Sequence, residues 1–117
     1  MITLKNYING ELLAPAANAY IDNYNPTTGK VYSLIPDSDE RDVEMAVNAA
    51  QKSFAEWSVM PVDERSKILV RIASLINRDL EKLTQAESID NGKPVALARV
   101  MDIPRAASNF HFYGKLE

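Results

Sequence analysis

The first third of the chain alternates apolar and polar positions and is interrupted by turn-forming residues, a pattern typical of β-strands. Asn9-Gly10 separates two short apolar pairs, and this dipeptide suits a type I′ turn because both residues tolerate a positive φ. A second alternating stretch, residues 20–35, is interrupted at 25–29, where a proline and a glycine favour another turn. The pattern predicts two β-hairpins within residues 1–36.

From residue 37 onward the apolar positions recur every three or four residues, which is typical of amphipathic helices. Ser38 is expected to be the N-cap of the first helix. Further helix boundaries are predicted at Met60-Pro61, at Gly92 and at Ile103-Pro104, since proline interrupts helices and glycine suits a left-handed C-cap. The first helix has one apolar stripe, and the group of Phe54, Trp57 and Met60 at its end is expected to be core. The stripe consists of Val43, Ala46, Val47, Ala50, Phe54 and Trp57.

These patterns predict an α+β fold in which two N-terminal hairpin strand pairs are followed by four to five helices. We expect one domain, 1–117, with the hairpins in 1–36 and the helices in 37–117. Two hairpins alone are marginally stable and need a cover of helices or of further chain.

Composition and charge indicate a globular protein and disfavour several other classes of protein. Hydrophobic residues make up 46% and charged residues 25% of the chain, as in a globular protein. The net charge of −3 without a basic face disfavours a nucleic-acid partner. No apolar run is long enough for a membrane span, and the N-terminus does not resemble a secretory signal. The absence of cysteine excludes disulfides and thiolate sites within this chain and fits a reducing, cytoplasmic location.

Two short motifs invite chemical readings that fail. The Gly29-Lys30 pair lacks the earlier glycine of a phosphate-binding loop, since Tyr24 stands in its place, and valine follows the lysine. His111 is the only histidine, so it cannot build a histidine–cysteine metal cluster, and its aromatic neighbours favour a packing role.

The segment Asp90-Asn91-Gly92-Lys93-Pro94 is the strongest remaining candidate. Asp90 and Lys93, with Asp102 and Arg105 further on, can hold a substrate or an ion. Alternatively, they form a helix terminus with local ion pairs, and spacing alone favours this second interpretation.

Taken in order, several stretches resemble the N-terminal portion of the NAD(P)-dependent aldehyde dehydrogenase superfamily. They are "YINGELL", "NYNPTTGKVYSLIPDSDERDVEMAVNAAQKSFAEW", "DERSKILVRIASLI" and "DNGKP". The resemblance covers about residues 7–113, and "DIPRAASNFHFY" is similar to the branch that oxidises muconic-type semialdehydes.

The resemblance implies that the catalytic cysteine, its partner residues and the dinucleotide-binding segment of the family lie beyond Glu117. NAD or NADP is therefore expected for a full-length parent, and no catalytic or cofactor-binding residue is expected in this chain. The resemblance also implies a weak cation site with the Asp90 carboxylate and the backbone oxygens of Asn23 and Tyr24 as ligands, because hard cations favour oxygen.

Three hypotheses follow. The first is an inactive structural fragment of an aldehyde dehydrogenase, whose partner is the rest of the enzyme and whose exposed apolar stripes lead to self-association. The second is a stand-alone interaction module derived from the same family. The third is an unrelated small helical binding protein, which would lack the hairpins. Leu116-Glu117 also match a pair often left by cloning.

Overall fold

The structure is a computed structural model that describes residues 1–116; Glu117, half of the pair interpreted as a cloning remnant, lies outside the described residues. The chain divides into two compact units, 1–59 and 60–117.

The first unit begins with short strands that form both predicted hairpins. The strands are β1 (Ile2–Thr3), β2 (Asn6–Ile8), β3 (Glu11–Leu13), β4 (Tyr20–Asn25) and β5 (Lys30–Pro36). β2 pairs antiparallel with β3, and β4 with β5. Asn9 and Gly10 have φ values of 53° and 80°, and Gly29 has 68°, so the turn residues adopt the left-handed conformations that the sequence predicted.

β1 was not predicted. It pairs in parallel with β5, with Ile2 opposite Ser33, and gives a three-stranded sheet in the order β1-β5-β4. A two-residue strand is too short to show a period of two, and its partner is about thirty residues away in sequence, so local pattern carries no signal for it.

Helix α1 (Glu40–Trp57) begins one residue later than predicted, with Asp39 rather than Ser38 as its N-cap. The Asp39 carboxylate accepts the Arg41 N–H at 2.9 Å, and the Asp42 carboxylate accepts the Asp39 N–H at 3.0 Å, which completes a capping box. Ser38 is engaged elsewhere, since its Oγ accepts a hydrogen bond from Asn6 Nδ2 at 2.9 Å.

The apolar stripe of α1 lies on the surface, and the prediction that the group of Phe54, Trp57 and Met60 forms core is wrong for Phe54 in the described chain. Val43, Val47 and Phe54 are 59%, 49% and 64% exposed, whereas Trp57 and Met60 are half-buried. The one buried residue of this helix is polar: Asp42 is 5% exposed. Its Oδ1 accepts the Ala16 N–H at 2.9 Å, which ties the helix to the segment before β4.

The second unit is helical and contains α2 (Val62–Arg78), α3 (Leu80–Asn91), α4 (Val95–Leu97), a π-helical turn (Ala98–Asp102) and α5 (Ile103–Lys115). α2 packs on α5, and Ala73, Ile103 and Ala107 are buried in this unit. A Cβ on Gly114 would lie 3.0 Å from Val70 Cγ2 and 3.1 Å from Leu69 Cβ, so glycine permits the close approach of the two helices. None of the helices within residues 1–116 combines the length and the apolar character that crossing a bilayer needs.

The expected interruption at Ile103-Pro104 is a widened turn rather than a gap. The Ile103 N–H donates to the Ala98 carbonyl, five residues earlier, and α5 continues directly from there. Pro104 has no N–H to donate, and its ring would clash with the carbonyl four residues earlier in a regular helix, which explains why the turn widens here. The five-residue spacing also brings the buried Ala98 and Ile103 to one face.

Candidate functional site

The segment 88–94 forms a tight bend after α3. Gly92 has a φ of 78° and its N–H donates to the Ser88 carbonyl at 2.9 Å, which confirms the predicted left-handed C-cap. The Ser88 hydroxyl donates to the Lys93 carbonyl at 2.6 Å. The Asn91 side-chain oxygen accepts the Lys93 N–H at 2.8 Å, so the bend is closed by its own side chains.

An ion pair connects this bend to the π-helical turn. Lys93 Nζ lies 2.9 Å from Asp102 Oδ1, and the two side chains are 35% and 26% exposed. The other carboxylate oxygen, Asp102 Oδ2, is buried and forms no hydrogen bond within the described part of the chain. Two residues singled out from sequence are thus brought together as a local ion pair. Arg105, the fourth member of the predicted group, lies exposed on α5.

A second ion pair ties the same π-helical turn to α3. Arg99 Nη2 and Nε lie 2.7 and 2.9 Å from the two carboxylate oxygens of Glu81. This hydrogen bonding from Arg99, supported by Gln85, lowers the pKa of Glu81 to about 2. Two charged pairs therefore hold the π-helical turn, one to the bend and one to the start of α3.

The arrangement is typical of a structural element rather than of a reacting centre. Lys93 is paired, and the bend lacks a side-chain nucleophile paired with a base. No group of three or more His, Asp or Glu side chains within residues 1–116 is placed to hold a metal ion. His111, predicted to pack among aromatic residues, is exposed on α5, where its neighbours Phe112 and Tyr113 stack edge to face at 5.2 Å.

The predicted cation ligands lie in different units. Asp90 is exposed in the last turn of α3. Asn23 and Tyr24 lie on β4, where the register with β5 shifts between them, and bulges of this kind recur beside binding sites. The Asn23 side chain donates to Tyr32 Oη and Ser33 Oγ, both at 3.1 Å. The ligand set of Asp90, Asn23 and Tyr24 stays a prediction from the family resemblance.

A dinucleotide does not fit the residues present. Its pyrophosphate needs a glycine-rich loop at a helix N-terminus, and the glycines of the sequence are widely separated. The first turns of α1, α2 and α3 carry acidic side chains, which repel phosphate: Glu40, Asp42, Asp63, Glu64 and Glu81. The start of α5 follows Asp102 and contains a proline, which has no N–H to offer.

Sequence reasoning found the bend but missed what fixes it. Ser88, Glu81 and Arg99 were not singled out, and their partners lie up to 18 residues away in sequence. Pro104 was the sequence signal for the π-helical turn that carries Arg99, because a proline in an otherwise helical stretch requires a local rearrangement of the preceding turn.

Comparison with known proteins gives one consistent result. Residues 13–117 match the model of the aldehyde dehydrogenase family. The 2-aminomuconic semialdehyde dehydrogenase of Bos taurus is 46% identical over 113 residues, which are 97% of this chain and 23% of that protein. This agrees with the predicted similarity to the muconic semialdehyde branch.

Solved structures agree with the fold. PnpE from Pseudomonas sp. WBC-3 superposes with a TM-score of 0.93 at 33% identity, over 97% of this chain and 23% of its own. An aldehyde dehydrogenase from Bacillus cereus in complex with NAD+ gives 0.92 at 33% identity, over 96% of this chain and 23% of its own. The predicted α+β fold is confirmed, and the chain spans about a quarter of the length of the relatives that it matches.

Proposed function

Because this chain belongs to the aldehyde dehydrogenase family, we propose that it is the N-terminal hairpin-and-helix portion of an NAD(P)-dependent enzyme that oxidises an aldehyde to a carboxylic acid. The observation that carries the proposal is the family match over residues 13–117, with an agreement in backbone that reaches a TM-score of 0.93. The similarity to a 2-aminomuconic semialdehyde dehydrogenase supports an unsaturated semialdehyde as substrate of the parent. The lack of cysteine fits a cytoplasmic location.

The 117 residues by themselves have a structural role and are inactive. They contain no cysteine, so no thiolate can attack an aldehyde carbonyl. The acidic first turns of the helices oppose a bound pyrophosphate. The catalytic and dinucleotide-binding residues belong to the rest of the parent enzyme.

A direct assay tests this role. The purified chain is mixed with NAD+ or NADP+ and a panel of aliphatic, aromatic and unsaturated aldehydes, and reduction of the nicotinamide is followed by absorbance. We expect no turnover, while a parent enzyme carrying the same 117 residues reduces the cofactor. Turnover by the isolated chain that survives repurification would overturn the structural role.

The stripe of α1 is the surface that meets the rest of the enzyme. Val43, Val47 and Phe54 are exposed on one helix face, and each is at least 49% accessible. Contiguous apolar surface of this kind marks an interface. The isolated chain is therefore expected to self-associate through this stripe.

Light scattering over a range of concentrations tests self-association. Phe54→Glu should shift the chain towards monomer, because a charge within the stripe opposes its burial. Asn48→Glu is the matched control, since it adds the same charge at an exposed position of α1 on the side away from the stripe. A strict monomer at every concentration, or an equal effect of both substitutions, contradicts this use of the stripe.

The exposed stripe also favours a second candidate function, a stand-alone interaction module derived from the same family. The two functions differ in what covers the stripe: the parent enzyme in the first, and a separate protein in the second. The source reading frame decides between them. A stop codon directly after this segment supports the module, whereas continued coding through a cysteine-bearing segment rejects it.

A further inference from the structure

The chain contains two Asn-Gly pairs in different surroundings, Asn9-Gly10 in the first hairpin and Asn91-Gly92 in the bend. We propose that Asn9 is a site of spontaneous deamidation, and that the hydrogen bonds of the bend protect Asn91 from the same reaction. This modification is independent of the enzymatic role proposed above.

The reaction requires a free backbone nitrogen and a mobile side-chain amide. The nitrogen that follows asparagine loses its proton to hydroxide or a buffer base and attacks Cγ. A new N–Cγ bond forms, the Cγ–Nδ2 bond breaks, and ammonia leaves. Water then opens the resulting succinimide at either carbonyl and yields aspartate or isoaspartate. Glycine at the second position favours the attack because it has no side chain to obstruct it.

Both reaction partners are restrained at Asn91. The attacking group, the Gly92 N–H, donates to the Ser88 carbonyl at 2.9 Å. The Asn91 side chain is held at both ends: Oδ1 accepts the Lys93 N–H at 2.8 Å, and Nδ2 donates to Glu87 Oε1 at 2.6 Å. Cyclisation at this position therefore requires several hydrogen bonds to open first.

The first hairpin restrains neither partner. Asn9 and Gly10 are exposed, and within residues 1–116 neither the Asn9 side chain nor the Gly10 N–H forms a hydrogen bond. A Cβ built on Gly10 would meet nothing within 4 Å, so the neighbouring structure leaves room for the ring to close. Of the two Asn-Gly pairs, the pair in the first hairpin is therefore the one expected to deamidate faster.

The product changes the hairpin. Isoaspartate inserts an extra carbon into the main chain of a two-residue turn, which disturbs the pairing of Ile8 with Glu11. Ile8 is 7% exposed and is a core residue of the first unit. Conversion at Asn9 should therefore loosen β2-β3.

Timed incubation of the whole 117-residue chain at neutral pH and 37 °C tests the proposal. Peptide mass spectrometry measures conversion at each asparagine, and fragmentation separates aspartate from isoaspartate. In the folded chain Asn9 should react at least about tenfold faster than Asn91, because opening one hydrogen bond alone slows a reaction by roughly that factor. In concentrated urea the two rates should become similar.

Two substitutions test whether the hydrogen bond between Asn91 and Glu87 slows deamidation at Asn91. Glu87→Ala removes the acceptor of Asn91 Nδ2 and should accelerate conversion at Asn91 several-fold, while Lys82→Ala, at an exposed position of the same helix away from Asn91, should not. Circular dichroism verifies that each variant keeps its helices. Equal rates at Asn9 and Asn91 in the folded chain, or a tenfold difference that persists in urea, would overturn the proposal.

Discussion

Helix α1 in the first unit and the pair α2–α5 in the second differ in what holds them. α1 buries one residue, the carboxylate Asp42, and exposes the face that its sequence pattern marks as apolar. α2 and α5 bury Ala73, Ile103 and Ala107, and approach closely at Gly114. α1 is anchored by a buried carboxylate that accepts a backbone N–H from outside the helix, whereas the pair is joined by apolar packing.

The difference teaches that an amphipathic pattern specifies a helix and one of its faces, but not a partner for that face. Phe54 in α1 and Ile103 in α5 both occupy apolar positions of a helical repeat, yet the former is 64% exposed and the latter 9%. α2 and α5 bury part of their apolar surface against each other, although Phe112 and Tyr113 on α5 remain 58% and 63% exposed. The exposure of the α1 stripe is the observation that supports our proposal of an interface with the parent enzyme.

The largest expected effect comes from breaking the packed pair. Ile103→Ala removes buried methyl groups and should lower the free energy of unfolding by about 2–4 kcal/mol. Val47→Ala on the exposed stripe of α1 should change it by no more than about 0.5 kcal/mol. Urea titration followed by circular dichroism measures both. Similar losses for the two variants would contradict the contrast between the helices.

A substitution at Gly114 tests the same packing by adding atoms instead of removing them. Gly114→Val adds atoms where even a Cβ would lie 3.0 Å from Val70 Cγ2 and 3.3 Å from the Ser66 carbonyl oxygen. Overpacking should lower the free energy of unfolding by about 2 kcal/mol. Ser108→Val, at an exposed position of the same helix, is the control. An unchanged melting temperature for Gly114→Val would show that α2 and α5 do not need this close approach.

Asp42 tests the polar anchor of α1. Asp42→Ala leaves the Ala16 and Asp39 N–H groups without their acceptor and should lower the free energy of unfolding by about 2 kcal/mol. Hydrogen exchange should become faster in the first turns of α1, with little change in α2 and α5. Glu44→Ala, an exposed acidic residue of α1, is the control. Equal exchange in both variants would argue against an anchoring role.

The smallest effect concerns the ion pair of Arg99 with Glu81. Hydrogen bonding from Arg99 holds the pKa of Glu81 at about 2, below its ordinary 4.5. Because the folded-state pKa is lowered, the pair's contribution to stability is present above the ordinary carboxyl pKa and is lost as the pH falls towards 2.

Arg99→Met should therefore return the pKa of Glu81 towards its ordinary value and flatten the dependence of stability on pH in that window. Carbon-detected NMR titration of the Glu81 carboxyl measures the shift. Arg105→Met is the control, because it removes an equal charge from an exposed site of the same unit and should leave the pKa of Glu81 unchanged. Should both variants leave the Glu81 titration unchanged, the ion pair does not set this pKa.

Local chemistry determined the hairpins, the helices and the bend. Asn9-Gly10 and Gly29 specify their turns because the left-handed conformation favours these residue types, and Gly92 ends α3 for the same reason. The order of motifs also indicated the family. Each of these signals depends on a few neighbouring residues, so sequence alone carries it.

Only the tertiary structure decided which groups meet. Asp39 is the N-cap in place of Ser38, whose hydroxyl accepts a hydrogen bond from Asn6. β1 pairs with β5, Lys93 with Asp102, and the stripe of α1 remains uncovered within the described chain. A residue's own type sets its preferred φ and polarity, but its contacts depend on groups that are distant in sequence, and a local pattern contains no information about those groups.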